Sequence, residues 1–350
     1  VDYYTGGVGS KPSWPALLNS NTLMLQMKQS SSAGSRLTRF NGTHFVSLSG
    51  GSLSSMKRAA FLTPKPGGGI VFQGDATATK REVWVTDGTE SGTSLFKDCN
   101  PGSGHGRPDM FTEMNGVIYF QANSGILGKE LWVLGSTPAS TSVFKDVNPK
   151  TMAMSLGQAG DTSQYGPSAL WVASESKLYF SAWSFYNGTE LWVSDGTLAG
   201  MSMIVDLVPG QTEGFYQNLG RTDNGKIYYI GGSAADLYVT DGTAAGTSMA
   251  FDSSGDWMKH ALHVGNNIFV SAQNDTALST GYELFVTDGT PGGTSLVKDI
   301  RSGAGSQPKF FCSMGNKLYF QANDGTHGIE LWVSDGTAGG TSMLKDIKSG

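Results

Sequence analysis

The sequence predicts an all-β fold, and three features support this. First, a phrase of the form Glu-Leu-Trp-Val-Ser-Asp-Gly-Thr recurs, with copies of varying completeness ending at Thr43, Thr89, Thr137, Thr197, Thr243, Thr290 and Thr337. Second, the steps between these threonines are 46, 48, 60, 46, 47 and 47 residues. Third, glycine makes up 49 of 350 residues while only 15% of residues are charged, which is typical of short strands joined by tight turns. A repeat of about 40–50 residues with strand-like content indicates a seven-bladed β-propeller with four-stranded antiparallel blades.

The last repeat shows the four predicted strands in order. Residues 310–314 predict the first strand, and the aromatic-rich residues 317–322 predict the second. Residues 330–334 alternate polar and apolar, which suits a third strand with one buried face. Residues 341–347 predict the fourth strand. The Asp335-Gly336 pair predicts a tight type I′ hairpin before it, because that turn needs residues that accept positive φ.

The other repeats follow the same plan. A large aromatic residue recurs at the tryptophan position of the phrase, as expected where neighbouring blades pack together. It is Trp84, Trp132, Trp192, Tyr238, Phe285 and Trp332. Seven repeats fill the chain and predict a single domain spanning 1–350. Their approximate bounds are 1–51, 52–101, 102–149, 150–209, 210–254, 255–302 and 303–350.

The phrase Glu-Leu-Trp-x-x-Asp-Gly-Thr, intact at 190–197 and 330–337, resembles that of the ELWxxDGT-repeat proteins. The resemblance covers nearly the whole chain, although repeat one is degenerate and the turn Gly135-Ser136-Thr137 departs from the pattern. It implies a β-propeller and export from the cell. It implies no settled activity and transfers no catalytic residue.

Composition excludes some partners. The net charge of −5 and the pI near 5.5 argue against nucleic-acid binding. The sequence has no run of 18 apolar residues, so no membrane insertion is expected. The start at Val1 without a leader predicts a processed, secreted chain. Secretion would make the sequons at Asn41, Asn187 and Asn274 candidate glycosylation sites.

Functional residues are sought where a repeat differs from the others, because repeated residues hold the fold. The clearest departure is the segment 151–165 of repeat four, and long loops in compact domains often carry function. Non-repeated polar and aromatic residues also precede the first strands of repeats three, six and seven. We expect these residues to converge at one mouth of the propeller axis as a ligand site. They are His105, Arg107, Asp109, Asp161, Tyr165, Asp256, Trp257, His260 and Lys309.

No metal site is predicted. The Asp-Gly-Thr aspartates are expected to cap their own turns through hydrogen bonds to the backbone. The fragment Asn323-Asp324-Gly325 resembles part of a calcium loop but lacks the remaining oxygen ligands, so calcium is only a weak alternative. Histidine and cysteine show no metal-binding spacing. Cys99 and Cys312 lie in different repeats, and a bridge between them is left open.

Three functions are compatible with the sequence. The favoured hypothesis is a secreted, non-enzymatic protein that binds a glycan or another extracellular partner at the axial face. The second is an enzyme that uses histidine and carboxylate chemistry on a polar substrate such as a saccharide. This hypothesis requires at least two polar side chains within reach of one substrate atom. The candidates are His105, Asp109, Asp161, Asp256, His260 and Lys309. The third is a multivalent array with weak sites between blades.

Overall fold

The described part of the chain consists of seven four-stranded antiparallel sheets. The structure is a computed structural model that describes residues 12–28, 35–48, 56, 58–77, 80–102, 104–146, 169–174, 176–184, 186–210, 213–222, 224–253, 258, 260–273 and 281–347. No helix occurs in these residues. In each sheet the four strands lie side by side in chain order. The fold is therefore the all-β, seven-bladed propeller expected from the sequence.

The strands of the first three sheets are as follows. They are β1 (Pro12–Asn19), β2 (Thr22–Lys28), β3 (Ser35–Phe40), β4 (Phe45–Ser47), β5 (Arg58–Pro64), β6 (Ile70–Thr77), β7 (Lys80–Thr86), β8 (Ser94–Lys97), β9 (Asp109–Met114), β10 (Val117–Asn123), β11 (Lys129–Leu134) and β12 (Ser142–Lys145).

The remaining four sheets continue the same numbering. Their strands are β13 (Ala169–Ser174), β14 (Lys177–Ser184), β15 (Gly188–Ser194), β16 (Ser202–Met203), β17 (Phe215–Arg221), β18 (Ile227–Gly231), β19 (Asp236–Thr240), β20 (Ser248–Phe251), β21 (His260–Val264), β22 (Asn267–Ala272), β23 (Glu283–Thr287), β24 (Thr294–Lys298), β25 (Lys309–Met314), β26 (Lys317–Asn323), β27 (Ile329–Ser334) and β28 (Ser342–Lys345).

The chain divides into two compact units. The first comprises Val1–Trp183 with Ser194–Met201, and the second comprises Ser184–Val193 with Ser202–Gly350. Within each unit the first strands of consecutive sheets adjoin: β1, β5, β9 and β13 in the first, and β17, β21 and β25 in the second. Each unit is described by itself below.

The core forms where neighbouring sheets face each other. In the first unit, Met24 and Leu37 of one sheet pack with Phe72 and Trp84 of the next. The aromatic residue of the repeated phrase lies in this layer, and Trp84 is only 5% exposed. Corresponding clusters centre on Phe120 and Trp132, on Val270 and Phe285, and on Phe320 and Trp332. The expectation that this aromatic position serves packing is confirmed.

The Asp-Gly-Thr turn is held by its aspartate, as the sequence predicted. Asp335 Oδ1 accepts the N–H of Thr337 at 2.9 Å and the Thr337 hydroxyl at 2.7 Å. The prediction of a tight type I′ hairpin was wrong, since only Gly336 has positive φ, at +93°. The loop between β27 and β28 is longer, and Gly340 closes it by donating its N–H to the Thr337 hydroxyl at 2.9 Å. The sequence signal indicated a turn but not its length.

Replacing Gly340 with alanine is expected to destabilise the protein, because the turn has no room for a side chain there. A Cβ on Gly340 would collide with the Asp335 carboxylate, whereas a Cβ on Gly339 would meet no atom within 4 Å. We expect Gly340→Ala to lower the free energy of unfolding by about 1–2 kcal/mol through this overpacking. Gly339→Ala should leave it unchanged within about 0.5 kcal/mol, as is usual for an exposed site. Urea unfolding of both variants measures the difference, and equal stabilities would contradict this account.

Candidate functional site

Three of the predicted ligand-binding residues lie together in the first unit, on the segment that enters β9. His105 Nδ1 accepts the backbone N–H of Arg81 at 3.1 Å, which leaves the ring proton on Nε2. The N–H of Arg107 donates to the Arg81 carbonyl at 2.8 Å, and the Arg107 side chain is exposed. Asp109 begins β9. The backbone of β7 therefore fixes His105 and Arg107, and only the latter side chain extends freely into solvent.

Asp109 is the most unusual carboxyl group of this segment. It pairs with Gln121 of β10, and its buried Oδ1 has no hydrogen-bond partner among the described residues. Burial raises the pKa of Asp109 to about 6, although the nearby Lys129 charge opposes the shift. A half-buried carboxyl group with such a pKa can accept hydrogen bonds from a ligand or exchange a proton near neutral pH.

Two further predicted residues lie in the second unit, at the start of adjoining first strands. His260 begins β21, and its ring lies 5.9 Å from that of Phe311. Lys309 begins β25 and pairs with Gln321. Lys309 follows a proline, as Asp109 does, so the two occupy the same place in their repeats with opposite charge. The remaining four predicted residues, Asp161, Tyr165, Asp256 and Trp257, lie outside the described residues. Convergence of all nine at one mouth stays a prediction.

A feature that sequence reasoning missed lies beside Asp109. In the first unit Trp14, Phe61 and Met110 have φ values of +54°, +57° and +55°. Phe310 has the same conformation in the second unit, at +55°. Each residue lies at a shift in the pairing of a first strand with the second strand, which is the geometry of a β-bulge. Large side chains rarely adopt this conformation, which costs about 1–2 kcal/mol per residue.

These bulges leave aromatic surface exposed. The Trp14 ring is centred 4.4 Å from the Phe61 ring, and Trp14 is 41% exposed. In the second unit, Phe310 is 72% exposed. The sequence signal is a threonine two positions after the bulge residue. The hydroxyls of Thr63 and Thr112 donate to the carbonyls of Phe61 and Met110, at 3.2 and 2.9 Å. Hydrophobic spacing alone does not reveal the bulges.

Behind the loops, the glutamate of the repeated phrase holds the connection between consecutive sheets. Glu82 Oε2 accepts the N–H of Cys99 at 2.7 Å, and its Oε1 accepts the N–H of Gly106 at 2.6 Å. In the second unit Glu283 accepts the N–H and the hydroxyl of Ser306 at 2.7 and 2.6 Å. We call this arrangement the glutamate clamp. In the first unit it positions the loop that carries His105 and Arg107.

The clamp carboxyls are buried and have raised pKa values. Burial raises the pKa of Glu82 and of Glu283 to about 7, and that of Glu190, the glutamate of the same phrase in repeat four, to about 8. Neighbouring aspartates, Asp98 beside Glu82 and Asp299 beside Glu283, raise the pKa further, while the N–H groups that donate to each carboxyl oppose the shift.

The weak calcium alternative gains no support from the geometry. Asp324 Oδ1 already accepts the N–H groups of Thr326 and His327, at 2.9 and 2.8 Å. Its Oδ2 lies 2.7 Å from Nδ1 of His327, and the hydrogen bonds from the backbone N–H and then the ring of His327 lower the pKa of Asp324 to about 2. Across the described ranges, no group of three acidic, histidine or cysteine side chains could hold a metal ion. Cys99 and Cys312 are both free thiols.

Comparison with known proteins gives this chain no family and no activity. No protein-family model matches the chain, and no curated protein sequence matches it. It is similar to the β-propeller domain of the Trilobed protease from Pyrococcus furiosus, with 13% identity over 97% of this chain and 99% of that one, at a TM-score of 0.41. It is also similar to a puromycin-hydrolysing peptidase from Mycobacterium tuberculosis, with 11% identity over 96% of this chain and a TM-score of 0.47.

A third similar structure is an inactive virginiamycin B lyase from Staphylococcus aureus with quinupristin, at 12% identity, a TM-score of 0.41, and coverage of 89% of this chain and 91% of that one. This chain spans about half of the larger peptidases that it resembles: 52% of the puromycin-hydrolysing enzyme and 48% of a prolyl endopeptidase. At these identities the likeness is one of fold only. Among the described residues, no helix is long and apolar enough to cross a membrane.

Proposed function

We propose that this chain is an exported, non-enzymatic saccharide-binding protein whose ligand lies where the first strands of repeats one to three begin. The observation that carries the proposal is the series of bulges at Trp14, Phe61 and Met110 on adjoining strands. Strained backbone that persists at bulky residues is concentrated at ligand sites, because the surrounding structure must hold it in place. The support for export is the resemblance of the repeated phrase to a mostly secreted group.

The chemistry of this surface suits a sugar. An exposed indole offers an apolar face to the C–H groups of a pyranose ring, while polar groups orient the hydroxyls. The Trp14 ring supplies the face, and the half-buried carboxyl group of Asp109 and the exposed Arg107 supply hydrogen-bonding groups in the same unit.

We expect Trp14→Ala to weaken saccharide binding about tenfold, and Trp14→Phe to restore much of it, because the aromatic face contributes its buried area and about 0.5–1.5 kcal/mol beyond it. The matched control is Leu17→Ala, which removes another exposed side chain of β1, 61% exposed, and should leave affinity unchanged. A glycan array screened with and without EDTA identifies the ligand, and calorimetric titration gives the affinities.

Two results would contradict this proposal. One is the absence of binding to any neutral or acidic glycan by the folded wild-type protein. The other is equal loss of affinity in the Trp14→Ala and Leu17→Ala variants, which would show that the effect is not specific to the aromatic face.

A second candidate function is saccharide hydrolysis, in which the half-buried Asp109, on the same segment as His105 and with its pKa raised by burial to about 6, would exchange the proton. The array ligands, incubated with the protein and analysed for shortened products, separate binding from hydrolysis. Loss of the products in Asp109→Asn with retained binding would assign the chemistry to this carboxyl group.

A further inference from the structure

In repeats two to four, the turn at the Asp-Gly-Thr position faces the preceding sheet. At the turn of repeat three, both the turn and the facing part of the preceding sheet have different residues. Elsewhere in the first unit, the glycine of the Asp-Gly-Thr turn packs against an apolar residue of the preceding sheet. A Cβ on Gly88 would collide with Leu18 at 2.5 Å, and one on Gly196 would lie 2.9 Å from the Tyr119 hydroxyl and 3.2 Å from Met114. In these places the turn leaves no room beside the preceding sheet.

In repeat two, the residue of the sheet that faces the next turn is of a different type. Leu18 and Met114 each lie four residues after a bulge residue, Trp14 and Met110, and the residue four positions after Phe61 is Lys65. An apolar contact residue is thus replaced by a lysine. Lys65 begins a hairpin in which Gly67, Gly68 and Gly69 all have positive φ, and the N–H of Lys65 donates to the Gly69 carbonyl at 2.9 Å.

The facing turn changes as well. Gly135 stands where five of the other turns have aspartate and repeat one has Asn41, and Ser136 stands where all of them have glycine. The closing glycine becomes Ser140, whose hydroxyl takes over the role of the aspartate by accepting the N–H of Thr137 at 3.0 Å. A Cβ on Gly135 would collide with Ser140, just as one on Gly340 would collide with Asp335. In this turn the glycine and the hydrogen-bonding side chain have exchanged positions. The turn is therefore an alternative stable form rather than a degraded copy.

A cleft of about 230 Å³ lies between the two changed elements. Its lining includes Lys65, Pro66, Ile118, Leu134 and Ser136. The cleft therefore combines an apolar wall with a cation and an exposed hydroxyl, and Ile118 is only 1% exposed.

The charge at the cleft is available for a ligand. Within the described part of the chain, Lys65 forms no ion pair. The nearby Glu113 carboxylate is held by the N–H of Gly116, at 2.6 Å. A cation and a hydroxyl beside apolar side chains match an organic anion with an apolar body, and the volume limits that body to a small one.

We propose that this cleft is a second ligand site, distinct from the saccharide surface, that binds a small organic carboxylate. The carboxylate pairs with the Lys65 ammonium and the Ser136 hydroxyl, and the apolar body lies against Pro66 and Leu134. The proposal does not depend on saccharide binding, because it rests on other residues of the first unit.

The test titrates the protein with benzoate and hexanoate by ligand-observed NMR, with benzamide and benzylamine as neutral and cationic controls. We expect the carboxylates to bind at least tenfold more tightly than either control. Lys65→Met should weaken carboxylate binding at least tenfold. Lys226→Met, which removes a lysine from the corresponding hairpin of repeat five, should not alter it.

A second variant tests the cleft without touching the lysine. The triple change G135D/S136G/S140G rebuilds the standard turn, so carboxylate binding should be lost while the protein remains folded. Equal binding of benzoate and benzamide, or unchanged carboxylate binding in both Lys65→Met and the rebuilt turn, would overturn the proposal.

Discussion

Replacing Glu82 with alanine is expected to lower the free energy of unfolding by about 3–5 kcal/mol, since breaking a buried charged or hydrogen-bonded network is among the costliest single changes. Glu82 is 2% exposed and accepts N–H groups from both ends of the segment between Cys99 and Gly106. Without it, two buried donors lose their partner, at about 1–3 kcal/mol for each unsatisfied group.

The measurement is urea unfolding of Glu82→Ala, Glu82→Gln and Glu113→Ala. Glutamine can still accept one N–H group, so it should cost about half as much as alanine. Glu113 is exposed and holds only the turn at Gly116, and its removal should cost under about 1 kcal/mol. If Glu82→Ala were no more destabilising than Glu113→Ala, the glutamate clamp would not hold the connection between sheets.

The second large effect is a loss of stability as pH rises from about 5 to 8. Folding raises the pKa of Glu82 and Glu283 from 4.5 to about 7, and that of Glu190 to about 8. Between these values the folded state binds more protons than the unfolded state, so stability is fully present below pH 4.5 and is lost as pH rises through 7 to 8. Each proton contributes about 1.4 kcal/mol per pH unit, and we expect a total loss of about 3 kcal/mol or more.

Other carboxyls act in the opposite direction at lower pH. Hydrogen bonds from Thr89, Thr197, Thr290 and Thr337 lower the pKa of the aspartates that begin their turns. Their contribution is present above the unfolded pKa of 3.8 and is lost as pH falls through the lowered values. Stability should therefore be greatest near pH 5.

Thermal unfolding in constant ionic strength from pH 3 to 9 measures this profile. Glu283→Gln removes one titrating clamp and should flatten the slope between pH 5 and 8, although it also lowers stability at every pH. A stability maximum above pH 7, or an unchanged slope in Glu283→Gln, would show that the clamp carboxyls are ionised in the folded protein.

The fold could be predicted from the sequence because its signals repeat. Residues 317–322 and 330–334 predicted strands that the structure gives as Lys317–Asn323 and Ile329–Ser334. The same hydrophobic alternation and turn residues recur in every repeat, so an error in one copy is corrected by the others. The turn length was missed because the need for glycine at position 340 comes from the Asp335 carboxylate packed against it, and residue spacing does not show this contact.

The candidate site was predicted less completely. His105, Arg107 and Asp109 were chosen as departures from the repeat, and the structure does place them on one segment. The bulge at Trp14 was missed because backbone conformation at a bulge depends on pairing between strands. The clamp glutamates were not chosen as site residues because they belong to the repeated phrase. The structure shows that they do hold the fold.

The glutamate clamp also bears on how such a chain can change in length. The carboxylate of Glu82 reaches only to Gly106, and that of Glu283 only to Ser306, each within the next repeat boundary. The clamp therefore links each repeat only to the loop that follows it, while other polar contacts, such as those from Arg39 to the Gly88 carbonyl and from Lys97 to the Pro138 carbonyl, also join neighbouring repeats. Duplication of a whole repeat would copy each clamp glutamate together with a loop of the kind that it holds. Each new copy would be free to diverge in its loops, as the turn of repeat three has done.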